Sequence, residues 1–291
     1  MGVEPIGVGP RRHDPSSAVG GARSRRLRMF ACCYRGAISA RGELGMSVGS
    51  DPLGWDEMFD DHVLALDSAH VFFASAQALA SNSSLVLEVG CGRGAQVAAQ
   101  TQRPWQDLRG PGRHVVGIDV DPAASQNPVI DEFHLMGDDQ RWPIADGVVD
   151  LAVSDWVLEH VQDPELFVAE LRRVLRPGGV FLARTVSRHS PLSIGARMVP
   201  NRAHSRVLKV LQPNRQEQDV FATAYRMNTR PALHALFDGD FEWAAASRTG
   251  LDQYLKPWPK LGGFVEGVER RLPRAVQMAL VVCARKKVVE P

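Results

Sequence analysis

The chain has 291 residues, room for one large domain or two small ones. Its 44% apolar and 23% charged residues exclude a wholly disordered chain, and no run of about 18 uncharged apolar residues is present to cross a membrane as a helix. The formal charge of +1 gives no global case for a nucleic-acid binder, but residues 1–45 hold eight arginines against three acids, which leaves −4 on the remainder.

In chain order, residues 1–50 are rich in Gly, Arg, Ser and Pro without an apolar period and read as a disordered tail. An alternative reading starts translation at Met46. The Arg-rich stretch Arg23–Arg41 and the pair Arg11-Arg12 are faint targeting signals, because no apolar segment of 7–15 residues follows either. From Asp51 to Pro291 the chain reads as one domain. Asp56–Ala80 is apolar at Phe59, Val63, Leu66, Ala69 and Phe73, which predicts one or two helices. Leu85–Leu87 is a strand that runs into Glu88-Val89-Gly90-Cys91-Gly92-Arg93-Gly94, and a helix continues over Ala95–Gln102. Further strands are expected at His114–Asp119, Ile130–Met136 and Val149–Ser154. Asp163-Pro164 opens a helix with an N-cap and a first-turn proline, and its stripe is Phe167, Leu171, Val174 and Leu175. Arg172, Arg173 and Arg176 are placed at its C-terminus, where they complement the helix dipole, and Pro177-Gly178-Gly179 stops it. A fifth strand covers Val180–Val186. Ser190–Asn228 reads as a helical insertion within a lid over about 189–230. A helix at Pro231–Phe237, a strand at Phe241–Arg248, a helix at Leu261–Leu272 and a strand at Gln277–Arg285 complete the chain, with the last two strands forming a hairpin-like edge. Strands alternating with helices define an α/β fold, a Rossmann-like, doubly wound, mostly parallel seven-stranded sheet that binds ligands beyond the carboxyl ends of its strands.

The four cysteines, Cys32, Cys33, Cys91 and Cys283, are too few and too irregular for a disulfide framework or a zinc site. This fits a reducing cytoplasm, and no metal is expected. Cys91 reads as a small residue in a tight turn rather than a catalytic thiol.

Gly90, Gly92 and Gly94 stand between an apolar strand and a helix, where glycine permits a sharp turn and close approach of a ligand to the main chain. Gly90-x-Gly92-x-x-Ala95 also satisfies the dinucleotide pattern, so an NAD(P)-dependent oxidoreductase is the alternative enzyme. Glu88 argues against it. A diphosphate there would face carboxylate repulsion, whereas a cationic amino group or sulfonium would be welcome. Asp119, at the end of the second strand, suits ribose hydroxyls, and Asp138 and Asp139 add acceptors for an adenine amino group. The pocket suggests a nucleoside with a positively charged tail.

These residues resemble the class I S-adenosylmethionine-dependent methyltransferases, in particular the type 11 group. Leu87–Gly94 is similar to that family's first motif, Gly117–Pro122 to its second, Asp138–Asp150 to its acidic loop and lead into strand four, and Val153–Val161 and Leu171–Gly179 to its later segments. The resemblance covers about Leu85–Val186. It implies that Gly90, Gly92 and Gly94 line the methionine part of the cofactor with Glu88 near its amino group. By the same resemblance Asp119 binds ribose, Asp138 contacts adenine with Asp139 beside it, and Ser154 and Asp155 border the methyl group. The implied reaction is in-line attack on the sulfonium methyl by a small-molecule, glycan or lipid acceptor, with positioning and desolvation doing much of the work.

His160 is the leading candidate for a general base, with His189 a second, and Tyr225 and Arg226 are candidate substrate contacts. The lid carries Arg188, Arg197, Arg202, Arg206, Arg215, Arg226 and Arg230 with His204, a cationic set able to hold an anionic substrate or simply to form a solvated face. Trp258, Leu261 and Phe264 are expected to pack near the sheet edge, with peripheral membrane contact as the alternative. A nucleic-acid methyltransferase is disfavoured, since Ser154-Asp155-Trp156-Val157 stands where an Asn-Pro-Pro-Tyr or Asp-Pro-Pro-Tyr segment would. The protein is expected to be a monomer or homodimer that binds no nucleic acid.

Overall fold

The computed structural model describes residues 68–94, 106–137, 141–198, 223–251, 255 and 258–288. The tail over 1–50, the helical stretches at 56–67 and 95–102, Asp138, Asp139 and lid residues 199–222 lie outside the described residues.

Seven strands form one sheet: β1 Leu85–Val89, β2 His114–Asp119, β3 Glu132–Leu135, β4 Val149–Asp155, β5 Leu175–Val186, β6 Phe241–Arg248 and β7 Ala279–Lys286. Their order is β3-β2-β1-β4-β5-β7-β6. The first five are mutually parallel, and β7 runs antiparallel between β5 and β6. This is the Rossmann-like, doubly wound sheet read from the alternating elements. The central strands are apolar runs because both of their faces are covered. Val86, Val115, Leu151 and Leu182 enter one core cluster, while their neighbours Leu87, Val116, Ala152 and Phe181 enter the other. Helix α1, Ser68–Ala80, closes the first face with Phe72, Ala76 and Ala80. Helices α2, Pro164–Val174, and α4, Arg230–Phe237, close the second. There Phe167, Phe181, Phe237 and Phe241 form a chain of ring contacts with centroids 5.4 to 6.2 Å apart.

Helix α2 begins as expected: the Asp163 carboxylate accepts the Leu166 N–H at 2.9 Å and Pro164 occupies the first turn. Its end differs. The helix stops at Val174, and β5 starts at Leu175, already extended at φ −68° and ψ 133°. A residue preceding proline avoids the helical region, so the turn unwinds before Pro177, and the register slips between Val149 and Leu151 as the strand is entered. Arg176 is therefore in the strand and pairs with Asp150 instead of facing the helix dipole. Asp150 also accepts from Ser84 N, Ser84 Oγ and Leu85 N, tying the amino ends of β1, β4 and β5 together. Arg172 pairs with Asp240 at 2.7 Å. Arg173 staples the loop after β3, donating to Ile144 O, Trp142 O, Asp146 and Glu170.

The C-terminal strands pair antiparallel and close the sheet as the expected hairpin-like edge, with β7 against β5 and β6 outermost. The segment expected to form a lid begins with helix α3, Pro191–Met198, while 223–228 is not helical. Helix α5, Pro259–Glu269, lies between β6 and β7. Trp258, Leu261 and Phe264, expected to pack at the edge, are exposed.

Candidate functional site

The carboxyl ends of β1, β2, β4 and β5 bring together most of the described candidates. Gly90, Gly92 and Gly94 all have positive φ, at 68°, 51° and 61°. A Cβ at Gly90 would collide with Val157, and one at Gly94 would sit 2.5 Å from Asn127 Oδ1, so neither position accepts a side chain. The loop is held from behind. Gly90 N donates to Ile118 O at 2.8 Å, and Asn127 Nδ2 donates to Cys91 O at 2.9 Å. Cys91 is buried with its sulfur toward Gly117, and burial pushes its thiol far above the ordinary range, so it packs and does not attack.

Asp119 closes the other side of the loop. Its Oδ2 accepts Gly92 N–H at 2.8 Å and its Oδ1 accepts Asp121 N–H at 2.9 Å. A carboxylate has about four acceptor positions, so roughly two are left for hydroxyl donors. Glu88 has no hydrogen bond or ion pair among the described residues. Burial, followed by the like charges of Asp155, Asp107 and Asp119, pushes its carboxyl up to about 8. The loop after β3, where Asp138 and Asp139 fall outside the described residues, adjoins an open cleft of about 500 Å³ lined by Leu135, Gly137 and Arg141–Ala145.

At the end of β4 the pleat separates the two expected methyl-bordering residues. Asp155 alternates onto the face of Glu88, and Ser154 lies on the other, fully buried, with its Oγ unpartnered among the described residues. Asp155 grips Arg184 of β5 through two bonds of 2.7 Å to Nε and Nη2. Arg184 is 2% exposed, and its Nη1 is buried without a partner among the described residues. Its guanidinium lies 4.6 Å from the Trp156 ring and 5.4 and 5.5 Å from those of Phe72 and Phe73. Trp156 holds φ at 60°, a conformation large side chains avoid, and its N–H bonds to Arg184 O at 2.8 Å.

On the opposite face Glu159 accepts from Thr185 Oγ1 at 2.7 Å, and Asn228 Nδ2 donates to the same hydroxyl at 2.6 Å. Glu159 O receives the N–H groups of Ala224 and Tyr225. Burial, opposed in part by the Thr185 hydroxyl, raises the Glu159 carboxyl to about 7. His160 is half-buried in the turn after β4, and His189 is exposed beyond β5. Tyr225 is half-buried at φ 52°, and Arg226 donates to Gln162 O at 2.6 Å. Sequence reasoning missed Arg184, Asn127 and the Glu159–Thr185–Asn228 set. The signal for Arg184 was present: a lone cation inside the apolar run Phe181–Val186. In Glu159-His160 attention went to the histidine, although the glutamate is the buried member.

A mostly parallel sheet with a glycine loop after β1 and an acid at the end of β2 defines a nucleoside-cofactor domain. The Methyltransferase domain family model of the type 11 group matches residues 87–183. A probable S-adenosylmethionine-dependent methyltransferase of Mycolicibacterium smegmatis is 37% identical over 134 residues, covering 44% of this chain and 47% of its own. A malonyl-[acyl-carrier protein] O-methyltransferase of Serratia marcescens is 30% identical over 113 residues, covering 38% and 41%. The structure of geranyl diphosphate C-methyltransferase from Streptomyces coelicolor aligns with TM-score 0.45 and 17% identity over 85% of this chain and 87% of that one. The chain spans about half the length or less of these curated relatives. Across the matched residues the chain is similar to the type 11 group of class I S-adenosylmethionine-dependent methyltransferases.

Proposed function

We propose that the protein transfers a methyl group from S-adenosylmethionine to a small-molecule, glycan or lipid acceptor. The observation that carries this reading is Glu88, a half-buried acid among three others with no cation beside it among the described residues. Such a group favours a ligand bearing a positive charge, and it disfavours the diphosphate of a nicotinamide cofactor. Glu88 would hold the amino group, the 90–94 backbone the methionine part, Asp119 the ribose hydroxyls, and Asp138 with Asp139 the adenine. When bound, the cofactor supplies an activated methyl group on sulfur.

The protein's own residues do the rest. Asp155 and Ser154 border the reacting region from the end of β4, and Arg184 fixes Asp155 in one orientation through its two-pronged grip. Where the acceptor must lose a proton, His160 is the proposed base, with His189 second, and Tyr225 and Arg226 contact the acceptor. Free Cys91 and Cys283 suit a reducing cytoplasm.

The reading is tested by calorimetry with S-adenosylmethionine and with reduced nicotinamide cofactors, followed by mass-spectrometric screening of acceptors with labelled methyl donor. Binding of the first and transfer of one methyl are expected. Tight binding of a nicotinamide cofactor instead would overturn it. Asp119→Ala should weaken binding sharply, and unchanged affinity removes Asp119 from the site.

A further inference from the structure

Helix α5 presents an apolar stripe to solvent. Trp258, Leu261, Phe264 and Val268 are 44, 48, 68 and 45% exposed, and their spacing of three, three and four residues sets them along one side of the helix. They are four of the nine large exposed apolar residues among those described. The C-terminal end of the helix is anchored. Glu269 is fully buried and accepts from Gly250 N and Leu251 N at 3.0 Å and from Met278 N at 2.7 Å. The helix is thereby stapled to the chain leaving β6 and the chain entering β7. Arg248 and Val186 both pair with Ala279, so the whole excursion stands on the carboxyl edge of the sheet. That is the edge bearing the glycine loop and the Asp155–Arg184 pair. Ile194 of α3, the helix that follows β5, is also 44% exposed.

The charges beside the stripe have one sign in excess. Glu266 is matched by Arg270 at 2.6 Å. Lys260 and Arg271 are exposed and make no ion pair among the described residues. Arg274 follows, close enough to Arg230 for the two like charges to interact. Among the described residues no helix is long and apolar enough to cross a membrane. A short helix with an apolar stripe that includes Trp and Phe, bordered by Lys and Arg, suits the plane of a lipid surface.

We propose that α5 docks the protein on an anionic phospholipid bilayer, with the stripe in the acyl–headgroup boundary and Lys260 and Arg271 against phosphate groups. Docking this way sets the carboxyl edge of the sheet close to the membrane. The inference rests on exposure and charge and is independent of the cofactor assignment.

The test is co-sedimentation of the full chain with vesicles of phosphatidylcholine alone and of phosphatidylcholine mixed with phosphatidylglycerol. Binding to the anionic vesicles is expected, together with its loss in about 1 M salt, where the screening length falls to about 3 Å. The double variant Leu261→Glu, Phe264→Glu should reduce binding at least ~10-fold. The uncharged pair Leu261→Gln, Phe264→Gln should reduce it in the same direction, with unfolding temperatures unchanged at these exposed positions. Lys260→Glu with Arg271→Glu should abolish the preference for anionic vesicles. Failure of the wild type to bind, or equal binding by the apolar-stripe variants, overturns the proposal. So does a concentration-dependent dimer in light scattering that Phe264→Glu dissolves, which assigns the stripe to a second copy of the chain.

Discussion

Replacing Glu88 by Gln keeps the side chain's size and removes its proton equilibrium. In the folded protein the carboxyl is pushed from 4.5 up to about 8 by burial and by Asp155, Asp107 and Asp119. A rise from 4.5 to about 8 corresponds to roughly 5 kcal/mol by which the fold disfavours the ionised form. For an acid with a raised folded value, the folded state keeps its proton while the unfolded chain loses it. The stability contributed is therefore fully present below the unfolded value of 4.5 and is lost as pH rises towards 8. At pH 7 the loss is already about 3 kcal/mol. Glu88→Gln should show no such decline from this position, so the variant gains on the wild type between about pH 5 and pH 9, as read by urea unfolding. Glu159, raised to about 7, contributes a parallel slope that both proteins retain. Binding provides the complementary readout. At pH 7 about nine-tenths of the free protein holds the Glu88 proton, so a cationic ligand that requires the carboxylate should expel close to one proton. Calorimetry in two buffers of different ionisation enthalpy measures that release, and Glu88→Gln should bind more weakly and release none. Parallel pH–stability curves for the two proteins, or a binding enthalpy indifferent to the buffer, would refute the reasoning.

Arg184→Met leaves the Asp155 carboxylate without its partner and should lower unfolding free energy by about 3–5 kcal/mol. Arg184→Lys should recover only part of this, since an ammonium cannot reproduce the two-pronged grip. Both are measured by denaturant titration. Asp150→Ala removes the acceptor shared by Ser84, Leu85 and Arg176 and should destabilise by about 3 kcal/mol at neutral pH. These partners hold the Asp150 carboxyl well below its ordinary value, so the wild-type advantage should shrink as pH falls and Asp150 is protonated. Once an acceptor is identified, His160→Ala should lower kcat by about 10²–10⁴-fold if His160 is the base, and near-full turnover removes it from that role.

The elements whose determinants are local were readable in the sequence. His114–Asp119 and Phe241–Arg248 stand as strands at the expected bounds, because a short apolar or alternating run between breakers carries its own signal. Asp163-Pro164 likewise announced the start of α2. What escaped was set by distant partners. Val174 ends α2 because the chain must turn extended before Pro177 and pair with Val149, a residue more than twenty positions away. The place of β7 between β5 and β6 follows from sheet closure, which no local pattern encodes. At the site, Glu88 and the glycines stood out by type and spacing. Arg184 and Asn127 act through contacts with Asp155 and Cys91 that only folding creates. The exposure of Trp258, Leu261 and Phe264 was equally hidden, since a helix pattern states which residues share a side and not which side is covered.

The position of β7 also dictates an order of assembly. Strand β6 joins the sheet only through β7, and β5 keeps an open hydrogen-bonding edge until β7 arrives. The partners on β5 and β7 are separated by roughly a hundred residues, a long loop to close before any contact rewards it. During synthesis, the five parallel strands that carry the glycine loop are complete while β5 still presents bare backbone N–H and C=O groups. An exposed strand edge is a template for pairing with other chains, so the nascent protein is most vulnerable to aggregation in the interval between the emergence of β5 and that of β7.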